Sequence, residues 1–469
     1  MYWNLTRGSA AMLAGLVVAS PAQAGADDVS ALRAELEKIK ASNAETQREL
    51  AEMKAENGSA WLTEQRAGEI RSVVQDVLAD ADSRSSLQDS GLQAGWNKNF
   101  YLASPDGNFS LKFKGQIQVR FTMNNAKEQA TEWGFENRRT KLYFEGHVVD
   151  PSWQYRIKGA FSNNSEDFHL EESWVKKSFG DGMSLKVGAF KAPWLREELV
   201  SSSKQLTVDR SVVNEYFNQD YSKGVELAYS TDDWRASAWY GNGIGAPGIG
   251  YGDSDVSSWN TNATRWSVAG RLEYRIDGSW KQFKDFSSFR GEDSGIMFGV
   301  SGMAQKFIGT GGTNPNDRGQ FNSGNGILQY GLTADVTVDF GGASLYGSLV
   351  WNRNKGWDGV GAFTDTTTTN PWGATIQGGY FLTDDVEAFA RYEYLNYDLD
   401  GAAKDGTKYN GFTLGANWFL AGKAVKFTAD WSMNLNSFGT HAPSGIGWRE
   451  DNGTETDQWA FRAQMQLLF

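Results

Sequence analysis

The sequence predicts an all-β transmembrane barrel of about 16 antiparallel strands, preceded by an N-terminal α-helical coiled-coil segment. Three observations lead there. From Phe109 onward apolar and polar residues alternate with period two, in segments close to the roughly 9 to 11 residues that a strand needs to cross lipid. The connections between these segments alternate between tight turns and longer loops. The 469 residues include 13% aromatics and 53 glycines but only 8 prolines, and no run of about 18 uninterrupted apolar residues occurs, which excludes a bundle of membrane helices.

Residues 1–24 read as a signal peptide. Arg7 supplies the positive charge, Ala10 to Ala19 form a short apolar run, and Ala22-Gln23-Ala24 is an A-x-A cleavage site. The mature chain is then expected to start at Gly25, outside the cytoplasm. An uncleaved anchor is the alternative, but the run is too short for a hydrocarbon core of about 30 Å.

Residues 25–58 carry a heptad seam. Val29, Leu36, Asn43, Leu50 and Asn57 fall at a, and Leu32, Ile39, Thr46 and Met53 at d. Two asparagines at a weaken such a seam while fixing its register. A helix this polar implies self-association as a periplasmic coiled coil; a solvated lone helix or a disordered tether is the other reading. Residues 59–95 hold an amphipathic helix, Trp61 to Asp82, with Ile70, Val73, Val74, Val77 and Leu78 on one side, and a connector from Ser83 to Gly95.

The barrel domain spans 96–469. Its first strand interleaves Phe109, Leu111, Phe113, Ile117, Val119, Phe121 and Met123 with Ser110, Lys112, Lys114, Gln116, Gln118, Arg120 and Thr122. Further strands are expected near 137–149, 153–162, 172–179, 183–190, 224–230, 234–241, 264–275, 294–305, 328–340, 343–352, 373–382, 386–395, 411–420, 424–434 and 457–469. Gly180-Asp181-Gly182, Thr231-Asp232-Asp233, Gly341-Gly342 and Thr383-Asp384-Asp385 are among the tight turns. The other links are longer, as on the outer side of an outer-membrane barrel. The link at 276–293 breaks the pattern, being too long for a periplasmic turn. The final strand ends in Phe469, an aromatic terminus similar to the signal read by the bacterial barrel-assembly machinery.

Lipid offers an open sheet edge no partner, so these strands must close. Sixteen of them leave a water-filled lumen lined by the polar phase. That phase holds the basic residues Lys112, Lys114, Arg120, Lys141, Arg156, Lys158, Lys186, Arg271, Arg391 and Lys426, and the acidic residues Glu145, Glu273, Asp335, Asp339, Glu387, Glu393 and Asp430. The basic ones concentrate in the first five strands. They read either together as a wall that favours anions, or each as a solvated lumen charge or a member of a lateral arginine-carboxylate ladder. The loop 191–223 is the longest, and a loop of this length can fold inward as a constriction; it carries Lys191, Arg196, Lys204, Arg210 and Lys223 against Glu197, Glu198, Asp209, Glu215 and Asp220. Trp153, Trp234, Tyr240, Tyr274, Trp351, Tyr394 and Trp459 suit interfacial girdles. Trp239 and Tyr346 fall in the lumen phase, too few for a sugar track.

Cysteine is absent and only His147, His169 and His441 are present, which leaves little for thiolate, metal or proton chemistry. No cofactor is expected. The net charge of −12 argues against a nucleic-acid partner.

Gly188-Ala189-Phe190-Lys191-Ala192-Pro193, followed by Glu197-Glu198, Ser201 and Asp209-Arg210-Ser211, resembles the third-loop entry of the phosphate-selective porin O and P family. Tyr221-Ser222-Lys223-Gly224-Val225 and Gly270-Arg271-Leu272 are similar to later landmarks of that family. The resemblance spans about 109–469. It implies a sixteen-stranded homotrimer that conducts anions, with Lys191 and Arg210 as constriction-loop residues. Acidic residues outnumber basic ones after residue 95, which weakens the case for phosphate specificity.

These readings lead to a passive outer-membrane channel for small hydrophilic solutes, with a modest anion preference. Competing readings are an envelope-anchoring barrel that conducts little, with peptidoglycan as partner of the N-terminal helices, and a sugar- or cation-preferring channel. An enzyme built on Ser165, Asp167 and His169 is a further alternative, as is calcium held by the Asp- and Asn-rich loops 306–327 and 396–410.

Overall fold

The computed structural model describes residues 37–49, 51–52, 91–97, 99–127, 129–162, 167–245, 264–307, 327–356, 368–398, 407–439, 441–451 and 457–469. The chain divides into two compact units, Met1–Ser90 and Gly91–Phe469. In the first, residues 37–49 and 51–52 are helical and exposed, including the expected seam positions Ile39, Asn43 and Thr46. The remainder of the seam and the helix expected over 61–82 lie outside the described residues.

The second unit opens with a hairpin, β1 (Gln93–Trp96) and β2 (Phe100–Ala103), where the sequence suggested a connector reaching Gly95. The hairpin extends the sheet because β2 pairs with the first residues of β3 (Ser110–Asn125). Next come β4 (Glu132–His147), β5 (Trp153–Phe161), β6 (Phe168–Gly180), β7 (Met183–Lys191), β8 (Tyr221–Ser230) and β9 (Trp234–Gly241). They are followed by β10 (Thr264–Asp277), β11 (Gly295–Phe307), β12 (Leu328–Asp339), β13 (Ala343–Lys355) and the two-residue β14 (Thr368–Thr369). The last five are β15 (Trp372–Phe381), β16 (Val386–Asn396), β17 (Lys408–Lys423), β18 (Val425–Asn434) and β19 (Trp459–Leu468).

All sixteen expected strands are present, as β3 to β13 and β15 to β19, each antiparallel to its chain neighbours. The last pairs with the first, from Trp459 opposite Asn125 to Leu468 opposite Gln116, which closes the barrel. Phe469 completes the seam through two backbone hydrogen bonds with Gly115. Closure leaves no membrane-facing edge, as the absence of hydrogen-bond partners in hydrocarbon demands.

Burial runs opposite to that of a soluble sheet. Along β12, Tyr330 and Leu332 are exposed while Gln329, Thr333 and Asp335 are buried. Trp153, Trp234, Tyr240 and Tyr274 are also exposed on the outer face, and Trp234 packs on Tyr274 across β9 and β10 with ring centroids 4.3 Å apart. The apolar phase therefore faces lipid and the polar phase the interior.

The interior is far from empty. Buried apolar residues form a cluster inside the barrel that includes Trp194, Phe217, Leu395, Tyr409, Phe438 and Trp448. It joins the loop after β7 to the last outer loop. Gly188, in the motif that leads into the first of these, has φ +136°, and a Cβ there would lie 2.1 Å from the Ser173 carbonyl oxygen. Only glycine lets β7 approach β6 this closely. The variant Gly188→Ala should destabilise the barrel by about 1 to 3 kcal/mol, measured as a lower temperature for the heat-induced mobility shift of the folded barrel on gels.

Candidate functional site

The loop from 192 to 220 folds into the barrel and crosses it. The main-chain oxygen of Trp194 accepts from Ser301 of β11 at 3.0 Å. Arg196 donates to Thr337 of β12 at 2.9 Å. Ser202 accepts from Gln116 of β3 at 3.0 Å, and the Ser203 carbonyl from Gln466 of β19 at 3.2 Å. The carbonyls of Gln205 and Leu206 accept from Lys426 of β18 and Asn417 of β17, each at 2.9 Å. Arg391 of β16 donates to Thr207 at 2.6 Å and to the Asp209 carbonyl at 3.0 Å. A short helix, Val212–Phe217, capped by Ser211, then returns the chain toward β8.

The loop thus adheres to an arc running from β10 through β19 to β4. Its anchor is Asp209, whose carboxylate is enclosed by Arg120, by Arg138 at 3.2 Å and by Arg139 at 2.9 Å. A second brace is Glu198, which pairs with Lys191 and with Arg210 at 3.1 Å and accepts from Asn214 at 2.9 Å. Burial opposes its ionisation, but Arg210 and Lys191 outweigh that and hold the carboxyl well below the usual range.

The residues expected to line the pore are mostly paired. Lys114 contacts Glu145, which lies 2.8 Å from Arg156; Arg156 reaches Glu172 at 3.3 Å, and Lys158 lies 3.1 Å from Glu172 and 2.8 Å from Glu171. Lys141 ends the row, 2.5 Å from Glu171. This is a charge-alternating ladder over β3 to β6, one of the readings open for these residues. Lys186 pairs with Glu226 at 2.7 Å. Arg271 pairs with Glu273 at 2.9 Å and Asp335 at 2.8 Å; Arg391 pairs with Glu393 at 2.6 Å. Arg120 is 2% exposed and donates to Glu136, Asp209 and the Gly445 carbonyl. Lys112 sits exposed at the start of β3 beside the β2 hairpin. Among the constriction-loop residues, Arg196 and Arg210 are buried, while Lys204 is part-exposed, 3.9 Å from Asp285.

Across from the loop lies open space. A cavity of about 530 Å³ is bounded by β6 to β10, by Pro193 and Leu199 of the loop, and by Lys284. Its cationic lining is Lys176, Lys186, Lys191, Arg235, Arg271 and Lys284, against the carboxylates Glu226 and Glu273. Lys176, Arg235 and Lys284 have no carboxylate within salt-bridge distance among the described residues. Arg235 instead lies over the Trp280 ring, 4.1 Å from its centroid.

The family described as "Phosphate-selective porin O and P" matches residues 111–469. The chain belongs to this family. Its barrel is accordingly that of an outer-membrane porin, placed in the outer membrane of a Gram-negative-type bacterium. Among solved structures, an anion-selective porin from Comamonas acidovorans is 13% identical, with 77% of this chain and all of that one covered at a TM-score of 0.53. The outer-membrane channel DcaP of Acinetobacter baumannii is 8% identical, covering 80% of this chain and all of its own at 0.53. At these identities the likeness is one of fold. No curated protein matches the sequence.

Several porin residues escaped sequence reasoning. Arg138 and Arg139 both reach Asp209 because a register irregularity opposite Gln118 and Val119 interrupts the alternation of β4; a bulge of this kind leaves no mark in a period-two count. Lys176 and Arg235 lie on expected strands in the lumen phase, and carrying the alternation through β6 and β9 would have found them. Lys284 lies in the overlong link. The Asp- and Asn-rich stretches 308–326 and 399–406 and Ser165 lie outside the described residues. No group of three potential metal ligands occurs among the described ones.

Neutralising Asp209 leaves three guanidinium groups enclosed without their common carboxylate. Loss of one partner in a buried ion cluster costs about 3 to 5 kcal/mol. Asp209→Asn should therefore lower the thermal midpoint of the porin markedly in circular dichroism, and single-channel recordings should show noisier open states as the loop loses its anchor.

Proposed function

We propose that this porin admits small hydrophilic solutes by diffusion with a modest preference for anions, phosphate among them. The reading rests chiefly on Lys176, Arg235 and Lys284, cations without a carboxylate partner on the open side of the lumen. Paired charges largely cancel a few ångströms away, whereas unpaired ones act on whatever passes. In a narrow, low-dielectric passage such charge draws counter-ions and repels ions of like sign. Family membership and the anion selectivity of the Comamonas porin support the same reading.

The passage follows β6 to β10 rather than the basic ladder of β3 to β6. The ladder, with its alternating acids, acts as a rigid wall. Nothing in the site calls for a reaction, and the three cations offer selection rather than chemistry.

For the assembly we infer a homotrimer, as the family resemblance implies, with the heptad at 25–58 as a periplasmic coiled coil able to reach peptidoglycan. The strand ending in Phe469 is the segment offered to the barrel-assembly machinery.

Reversal potential across a planar bilayer under a KCl gradient tests the reading. The parent protein should favour chloride, and Lys176→Glu combined with Arg235→Glu should lower the chloride-to-potassium permeability ratio severalfold at unchanged fold. Cation selectivity in the parent protein would refute anion preference outright.

A further inference from the structure

The link between β10 and β11 is periplasmic by topology, yet it runs from 278 to 294 where its counterparts are tight turns. Instead of hanging below the barrel, it enters it. Phe283 and Phe286 are each 2% exposed, and Asp285, Ser287 and Ser288 are buried. An exposed turn would bury none of these.

Its contacts trace a path across the barrel floor. Trp280 donates to the Thr231 carbonyl, in the turn between β8 and β9, at 3.0 Å. Arg196 of the constriction loop donates to the Phe283 carbonyl. The Phe286 amide donates to the Lys204 carbonyl of the same loop at 3.3 Å, and the Phe286 ring packs on Tyr346 of β13 at 4.8 Å between centroids. Asp285 pairs with Lys423 at the end of β17 at 2.8 Å, and Ser287 donates to Glu387 of β16 at 2.8 Å. Phe289 packs between Phe381 of β15, tilted at 4.8 Å, and Phe419 of β17, edge-on at 4.7 Å.

We propose that residues 278–294 form a second constriction, raised from the periplasmic side against the constriction loop, and that Lys284 at its free flank is a specificity-determining residue. Two segments from opposite ends of the barrel meet at 196–204 and 283–286 and leave open the cavity lined by β6 to β10, whose periplasmic rim Trp280 touches at Thr231. Solutes leaving toward the periplasm must then pass between this floor and the wall, beside Lys284. Burial, followed by the charges of Arg235, Lys204, Arg156 and Lys176, holds the Lys284 ammonium below the ordinary lysine value; its side chain lines the same cavity as Lys176 and Arg235. Only the effect of Lys284 on selectivity rests on the anion preference proposed above; the obstruction does not.

The absence of cysteine from the chain gives a clean test. Lys284→Cys is reconstituted in planar bilayers and treated from the periplasmic side with a negatively charged methanethiosulfonate and, separately, with a neutral one of similar size. Both adducts should reduce single-channel conductance, and the negative one should also lower the chloride-to-potassium ratio below that of the neutral one. Replacing Ser279 to Glu292 with a two-residue turn should raise conductance about twofold as the floor opens. If that variant does not assemble, the cysteine adducts decide alone. Unchanged conductance with both adducts, at confirmed labelling, overturns the proposal. A parent protein with no anion preference but conductance that falls on labelling would refute the selectivity reading and leave the second constriction standing.

Discussion

Hydrocarbon offers a peptide group no hydrogen-bond partner, and this constraint shapes the barrel before any question of transport arises. Each amide in a lipid-crossing strand must bond to a neighbouring strand, so the sheet closes on itself from β19 to β3. Closure turns the sheet inside out. Leucine, valine and aromatic side chains go to lipid, and Gln116, Gln118, Asn354, Asn417 and their like go inward. An interior so rich in amides and charges needs partners as much as the backbone does. Water supplies them in an open pore; here much of the supply comes from protein, through the loop after β7 and the floor after β10.

Filling is uneven, and the unevenness makes the channel. On the arc from β10 through β19 to β4, arginines and carboxylates are buried in mutual contact, Asp209 with its three guanidiniums being the densest case. Breaking such a group costs several kcal/mol, so the loop is held firmly against that side. On the opposite arc the loop is held chiefly by Lys191 of β7, paired with Glu198. A passage forms there by default, between a fixed obstruction and a wall whose own charges are mostly paired.

The succession of strands and their lipid-facing phase were legible because each strand meets two solvents, and period two is the direct record of that. The Gly188 motif was legible too, and its glycine has a steric reason. What could not be read were choices made between segments distant in sequence. For Lys114, Arg156 and Lys158 a basic wall and a ladder both stayed open until Glu145, Glu171 and Glu172 were placed beside them by the pairing of β3 to β6. Arg138 and Arg139 were hidden by a break in alternation. The floor gave one sign only, a link longer than a turn requires, and its apolar residues Phe283, Phe286 and Phe289, spaced by three, fall outside the period of two that marked the strands.

The same distinction resolves an apparent conflict between composition and selectivity. A chain with net charge −12 would repel anions if its charge were spread evenly, but a permeating ion responds mainly to charges within about 8 to 10 Å at physiological salt. Most lumenal acids lie in the filled half, where Asp209, Glu197, Glu393 and Asp430 are buried beside arginines, or in pairs such as Glu226 with Lys186. Carboxylates committed in this way present a passing ion with a dipole rather than a charge. The field along the passage is therefore set by groups with no ion pair among the described residues, and in the lining of the cavity those are cations: Lys176 on β6, Arg235 on β9 and Lys284 on the floor. Selectivity follows from which charges the fold leaves unpaired, a property of packing that no count of acids and bases contains.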